Sequence, residues 1–441
     1  MTFDTFLNWS GPVQWITTLV LLALFACSLL MTKLRTNRFI TPISTFFVFI
    51  LVHCLVGYYT GFLTANRIGQ IPDAIDYIMN KALIVVAVGV AATYMGYLLF
   101  PIAYGDKFGR FLWNAAHHVK IPQLRSRSRL LIVVSVALLV VGVLSLGSIP
   151  LFNNQFGKGR YADTFKAGNE WVRFISNRGR DFIQLPAAFL LMLWFRNKTR
   201  VLDLFLGVAA IASCLLLLER SPLVDIGLML VGVLLLRGKT SIFCASGLLL
   251  CCGYLGTQVI LENKTGYDPE TALRIAATAL PEVRDFGLLL INEPPRFHGM
   301  TLLVGILPIP GFISDFTFQY LLRTVTLVAA GIPLDAGHGG LRITFAGEMY
   351  INFGVAGAFV GGLLLGFFCA AFDRLFVVAS TKNDIQFDFL ISALWMFMFE
   401  FYLSGSGVMG MIKALLGVLV FMLIAFPSFQ RRAVFKRPVL A

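Results

Sequence analysis

Charge is scarce in this sequence. Asp, Glu, Lys and Arg together make up 13% of its 441 residues, against 58% apolar residues, and a soluble domain of that make-up would have too little polar surface to cover itself. Water is therefore not the main solvent. Histidine is rarer still, with five in the whole chain. No Ser-His-Asp arrangement, glycine-rich phosphate loop or zinc-spaced motif emerges. Asp73 and Asp76 of IPDAIDYI form an acidic pair without the further oxygen ligands that a divalent cation needs, so neither a metal nor another cofactor is expected. The seven cysteines, Cys27, Cys54, Cys214, Cys244, Cys251, Cys252 and Cys369, are odd in number and lie inside apolar runs. That excludes a disulfide framework and a thiolate metal site, and leaves them as small packing residues. Met1 to Ser10 lacks the basic region of a cleaved signal peptide, and no small-residue cleavage site follows. The first apolar run is expected to stay as a helix.

What the chain has is apolar runs, recurring from residue 11 to residue 428. A helix needs roughly 20 such residues to cross the hydrocarbon core, and the candidate spans are 11–31, 40–64, 82–104, 130–148, 182–195, 201–218, 222–236, 240–260, 349–373, 386–404 and 407–428. The alternation of a barrel is absent and lipid-exposed backbone must satisfy its own hydrogen bonds. The expectation is an all-α, polytopic membrane bundle of about eleven helices, one domain over 1–441. The net charge of +13 would suggest nucleic acid in a soluble protein, but here it concentrates in short loops, where Lys and Arg set topology. Those loops are Lys33/Arg35/Arg38, the stretch from Lys107 through Lys120 to Arg129, Arg196/Lys198/Arg200, Arg237/Lys239 and the tail Arg431/Arg432/Lys436/Arg437. With eleven spans all fall on one side, which places the N-terminus outside and the C-terminus in the cytoplasm. Two outer segments, 149–181 and 261–348, are enlarged. Segments 182–195 and 222–236 are short, and losing either would reverse every span after it.

The outer loop 149–181 carries Lys158, Arg160, Lys166, Arg173, Arg178 and Arg180 against Asp163, Glu170 and Asp181. Its positive excess works against the insertion bias, so it serves something else. Two readings stand: a site for an anionic ligand, which the planar guanidinium fork suits, or a basic loop on lipid headgroups. Arg173 and Arg180 share a face if the fifth helix extends outward through them, with Arg178 on another. Arg220, in LERSPL, falls at the same outer level, where a charge is costly unless it faces the bundle interior or snorkels. Segment 261–348 is too long for an inert connection and too apolar for disorder. Its helix-like stretches, broken by Pro281, Pro308, Pro310 and Gly311, fit interfacial or re-entrant helices. His338, Arg342 and Glu348 then arrive together, with Thr344 and Glu348 one turn apart. The following glycines, Gly354, Gly357, Gly361, Gly362 and Gly366, have the small-xxx-small spacing of close helix packing.

The run GEMYINFGVAGAFVGGLLLG, preceded by GHGGLRIT and by an RSPL turn earlier in the chain, resembles the bacterial oligosaccharide repeat-unit polymerases, the O-antigen polymerase family. The span layout resembles that family over nearly the whole chain, while the residue-level likeness lies in 338–366 and 219–223. The resemblance implies a fold like the GT-C-type lipid-linked glycan polymerases and ligases. It also implies a metal-independent glycosyltransferase of the bacterial inner membrane, joining undecaprenyl-diphosphate-linked oligosaccharides at the outer face. A flippase and a chain-length regulator would be its partners. Lys158, Arg160, Arg173, Arg178, Arg180, Arg220 and Arg342 are then the candidates for holding the diphosphate or glycan. Glu348 and His338 are the candidates for acting on the acceptor hydroxyl. Structural roles stand beside these: His338 as a loop cap, and Glu348 as the counter-charge of Arg342. A ligase of the same class and a lipid-linked oligosaccharide flippase or transporter are the competing functions.

Overall fold

The computed structural model describes residues 11–65, 72–100, 121–146, 170–195, 200–216, 220–239, 282–291, 296–306, 314–331, 343–382 and 384–403, with Ile242 and Leu341. Among these residues the chain is helical throughout and carries no strand. The helices are α1 (Pro12–Thr36), α2 (Pro42–Ala65), α3 (Pro72–Leu99), α4 (Ile121–Leu146), α5 (Glu170–Phe195), α6 (Val201–Leu216), α7 (Arg220–Leu236), α8 (Glu282–Ile291), α9 (Met300–Ile306), α10 (Asp315–Tyr320), α11 (Leu322–Ala329), α12 (Phe345–Lys382) and α13 (Ile385–Leu403). Candidate spans 240–260 and 407–428 lie outside the described residues. Four stretches, Pro12–Thr36, Pro42–Tyr59, Tyr77–Leu99 and Phe345–Thr381, are long and apolar enough to cross a membrane. Shorter apolar helices accompany them at Phe182–Trp194, Val201–Leu216, Pro222–Leu236 and Ile385–Phe399. By length and composition this is a membrane protein.

Local chemistry fixes several ends. α1, α2 and α3 each open on proline, which has no N–H to lose in the first turn and a preset φ. α1 closes on Asn37 at φ 58°, whose N–H bonds the Lys33 carbonyl, with Lys33 and Arg35 in the last turn where cations suit the helix dipole.

The chain divides into two compact units that interleave in sequence: Met1–Gly109 with Cys251–Val378 and Met398–Ile412, and Arg110–Leu250 with Ala379–Phe397 and Lys413–Ala441. In the first unit, α1, α2 and α3 pack together and α8 lies on α2 and α3. Its core is aromatic: the Phe47 ring meets Tyr94 and Tyr97 edge-on at centroid distances of 5.1 and 4.9 Å. His53 is buried and stacks near Phe49 at 4.2 Å. α3 and α12 meet backbone to backbone. A methyl group on Gly362 would collide with the Gly89 carbonyl oxygen, and one on Gly366 with that of Thr93. The small-residue stripe is thus a packing device, as its spacing suggested.

Gly354 is the exception in that stripe. Its φ of 73° and ψ of −162° break α12, in a region of backbone space essentially reserved for glycine. A methyl group on Gly361 would lie 2.9 Å from Met349 Cγ and 2.9 Å from Phe345 Cζ. In a straight helix positions 349 and 361 stand about 18 Å apart. Residues 345–353 therefore fold back along the helix that follows, and the apolar run expected as a single span from 349 is a helical hairpin with a short arm, 345–353, and a long arm, 355–382.

A buried polar knot ties one end of this unit. Tyr97 donates its hydroxyl hydrogen to Asp373, which also accepts from Thr41 Oγ1 at 3.3 Å. Arg35 donates to the Tyr97 and Phe100 carbonyls at 2.8 and 3.0 Å. The ends of α1 and α3 and the start of α2 therefore meet at Asp373 in the later part of the long arm of α12. At the other end Gln14 and Tyr58 both donate to Asn80 Oδ1, at 2.9 and 2.6 Å.

In the second unit α5 packs against α4, α6 and α7. Its core holds Phe189, Leu190, Met192, Phe389 and Trp395, all buried. Asp203, at the start of α6, is buried and meets Arg129 Nη2 at 2.7 Å and Arg125 Nε at 3.2 Å, both from the start of α4. Arg237, just past α7, grips the buried Asp388 at the start of α13 through Nε and Nη2. Each carboxylate neutralises cations taken from the basic loops, the condition for burying charge.

Candidate functional site

Glu348 lies in the first turns of the short arm of α12, and the residues around it explain why. Thr344 caps the arm, its Oγ1 accepting the Gly347 N–H at 3.2 Å, and the first turn of a helix favours a carboxylate. In the folded chain Glu348 is fully buried. The cover is residues 296–301. Phe297 N donates to the Ile351 carbonyl at 3.1 Å and Arg296 Nη1 to the Tyr350 carbonyl at 2.5 Å. The break at Gly354 takes these carbonyls out of regular helix bonding, and the incoming segment satisfies them. The Arg296 guanidinium also sits 4.3 Å from the centroid of the Tyr350 ring. Below, Thr301 Oγ1 donates to Glu348 Oε1 at 3.5 Å. Asn352 Nδ2 donates to Thr301 Oγ1 at 2.6 Å and to the Glu348 carbonyl at 2.9 Å.

Above the carboxylate the surface is polar. Arg296 and His298 are exposed, and His298 holds a left-handed φ of 47° beside Gly299 at 86°. A non-glycine residue in that region is uncommon and stored strain of this kind gathers at functional sites. α8 closes the flank, its Phe286 ring meeting Tyr350 edge-on at 5.7 Å. The Arg284–Asp285 pair lies on the same helix at 2.8 Å. The site thus joins a buried carboxylate, a hydroxyl and an amide, and the segment that supplies the hydroxyl also carries an exposed guanidinium and imidazole. Arg296, His298, Thr301 and Asn352 were not singled out from the sequence. The signal available was RFHGM, a polar and aromatic island between apolar stretches.

The other expected residues divide between places. Lys158, Arg160, His338 and Arg342 lie outside the described residues. Arg173, Arg178 and Arg180 belong to α5 in the second unit, whose helix runs through all three from its start at Glu170. Arg173 and Arg180 therefore share a helical face, with Arg178 on another. Arg220 opens α7. Gly207 of α6 rests on Leu191 of α5, where a methyl group would come within 2.9 Å of Cδ2. Between Arg178 and Arg180, Gly179 presses on the Ser135 carbonyl of α4, so the two occupy positions on either side of the α4 contact. Among the described residues no group of three or more His, Cys, Asp or Glu could hold a metal ion.

No protein-family model, no curated protein and no solved structure matches this chain.

Proposed function

We propose that the protein is a membrane glycosyltransferase that polymerises undecaprenyl-diphosphate-linked oligosaccharide repeat units at the outer face of the bacterial cytoplasmic membrane. The observation that carries this reading is the covered carboxylate: Glu348 buried against the segment 296–301, which reaches it through Thr301 and places the exposed Arg296 on the Tyr350 carbonyl of the same short arm. Transfer from a lipid diphosphate needs two things at one point. A base or oriented acceptor must take the proton of the attacking sugar hydroxyl, and fixed cations must meet the charge that gathers on the departing diphosphate. The hydroxyl oxygen bonds to the anomeric carbon, whose bond to the diphosphate oxygen breaks with its electron pair. The proton passes to Glu348 or His338. Within the first unit Arg296 is a further group for the diphosphate or the glycan, and Lys158, Arg160, Arg173, Arg178, Arg180, Arg220 and Arg342 keep the binding role that the resemblance implies for them.

The placement of the basic loops is what supports the orientation this requires. Alternating spans make the first, third and ninth run one way and the second the other, and the contacts of α1, α3, α12 and the start of α2 around Asp373 are consistent with that alternation. The pairs at Asp203 and Asp388 likewise join ends that the basic loops assign to the cytoplasm. A transporter reading draws on one observation, the break in α12, since transporters bind substrate at broken helices near the midplane. Here the break stands near one end, and residues 355–382 alone exceed the roughly 20 needed to cross.

The test is polymerisation in vitro. Full-length protein in membranes, supplied with lipid-linked repeat units extracted from a strain lacking it, is expected to lengthen them into a ladder. Arg296→Ala lowers the rate by about 10²-fold if its guanidinium meets the leaving diphosphate. Transfer only to lipid A core identifies a ligase, and movement of substrate across vesicles without a new glycosidic bond identifies a transporter.

A further inference from the structure

Asn352 is fully buried, and both ends of its amide are committed. Nδ2 donates to Thr301 Oγ1 and to the Glu348 carbonyl, while Oδ1 accepts the Gly299 N–H at 2.9 Å. Flipping the amide would set its oxygen against a carbonyl and its NH2 against an N–H. Its orientation is therefore fixed by its neighbours. That has a consequence one residue on. A threonine hydroxyl has a single hydrogen, and because Thr301 accepts from Asn352, that hydrogen remains to be given elsewhere. Thr301 is buried, and Glu348 Oε1 is the acceptor it reaches. The bonds run one way, from Gly299 to Asn352 to Thr301 to Glu348, each polarising the next toward the carboxylate. The last is long, as hydrogen bonds at a reacting group often are before substrate arrives.

We infer that Asn352 and Thr301 are positioning residues that aim the Glu348 carboxylate through this chain of hydrogen bonds. The inference rests on the proposed role of Glu348. Glu348 and Asn352 come from the short arm of α12, Gly299 and Thr301 from the segment that covers it, so the carboxylate is aimed only while the cover is docked. Loss of either positioning residue leaves the carboxylate in place and misdirected.

Two measurements on the full-length protein test this. In the polymerisation assay, Thr301→Val and Asn352→Leu are expected to lower kcat about tenfold with KM little changed, and Thr301→Ser to restore the rate to within about threefold. Adding Thr301→Val to Glu348→Gln should cost nothing further, because the two act as a unit. An equal loss from Thr301→Val in both backgrounds, or no loss at all, overturns the inference while leaving Glu348 in its role. The second measurement does not depend on activity. The infrared difference between the wild-type protein and Glu348→Gln isolates the Glu348 carboxyl band, which Thr301→Val and Asn352→Leu should shift and Thr301→Ser should not. An unmoved band overturns the inference. A shifted band in a protein that makes no polymer upholds the chain of bonds and removes the glycan reading instead.

Discussion

His298 and Asp388 show how differently single residues contribute to this protein. His298 is exposed at φ 47°, a conformation that costs a side-chain-bearing residue about 1 kcal/mol or more. Replacing it by glycine relieves that cost. His298→Gly is expected to raise thermal stability slightly, by up to about 1 kcal/mol, while lowering polymer formation, and a variant equally active and more stable would remove His298 from the site. Asp388 is the reverse case. It is buried and held by Arg237, whose side chain is 18% exposed, so Asp388→Ala strands a largely enclosed guanidinium. A loss of about 3 kcal/mol is expected in thermal or denaturant unfolding, larger than for removing an exposed pair. Three of the buried aspartates, Asp203, Asp373 and Asp388, did not stand out in the sequence. Their partners are 74, 332 and 151 positions away, and such pairing is a property of the packed helices.

At the scale of the element, α12 carries glycines that look alike in sequence and do different work. Gly366 lets the backbone of the long arm touch that of α3, and Gly354 turns the chain back on itself. Gly366→Ala must push two backbones apart, with an expected cost of about 1–3 kcal/mol in stability. Gly354→Ala forces an alanine into backbone space it avoids, at a cost on the order of 1–3 kcal/mol, and tilts the short arm that carries Glu348. Polymer formation should therefore fall further in Gly354→Ala than in Gly366→Ala at matched thermal stability. Equal losses would mean the hairpin serves packing alone. The stripe itself was legible from its spacing, because spacing sets which residues share a face. The reversal was not, because a glycine free to adopt positive φ is also free to continue a helix, and contacts with Arg296, Phe297 and Phe345 decide between them.

For the whole molecule the decisive matter is which side each loop faces. A cysteine placed at Lys158 is expected to react with an impermeant maleimide in intact cells, and one at Lys239 only after lysis, in a chain whose native cysteines are replaced. The opposite pattern would put the proposed site in the cytoplasm, away from lipid-linked repeat units. What the sequence by itself determined is the membrane character, the run of helices and the loops that carry the cations, because apolar length and charge placement act locally and need no partner to be read. The helical extension of α5 through Arg173 and Arg180 was foreseeable for the same reason. Only the tertiary structure decided that Glu348 is covered, that the chain turns at Gly354, and that Arg296, His298, Thr301 and Asn352 assemble around the carboxylate. The buried partners of Asp203, Asp373 and Asp388 were also its decision. Those features depend on residues far apart in the chain meeting at short range, and no local periodicity encodes such a meeting.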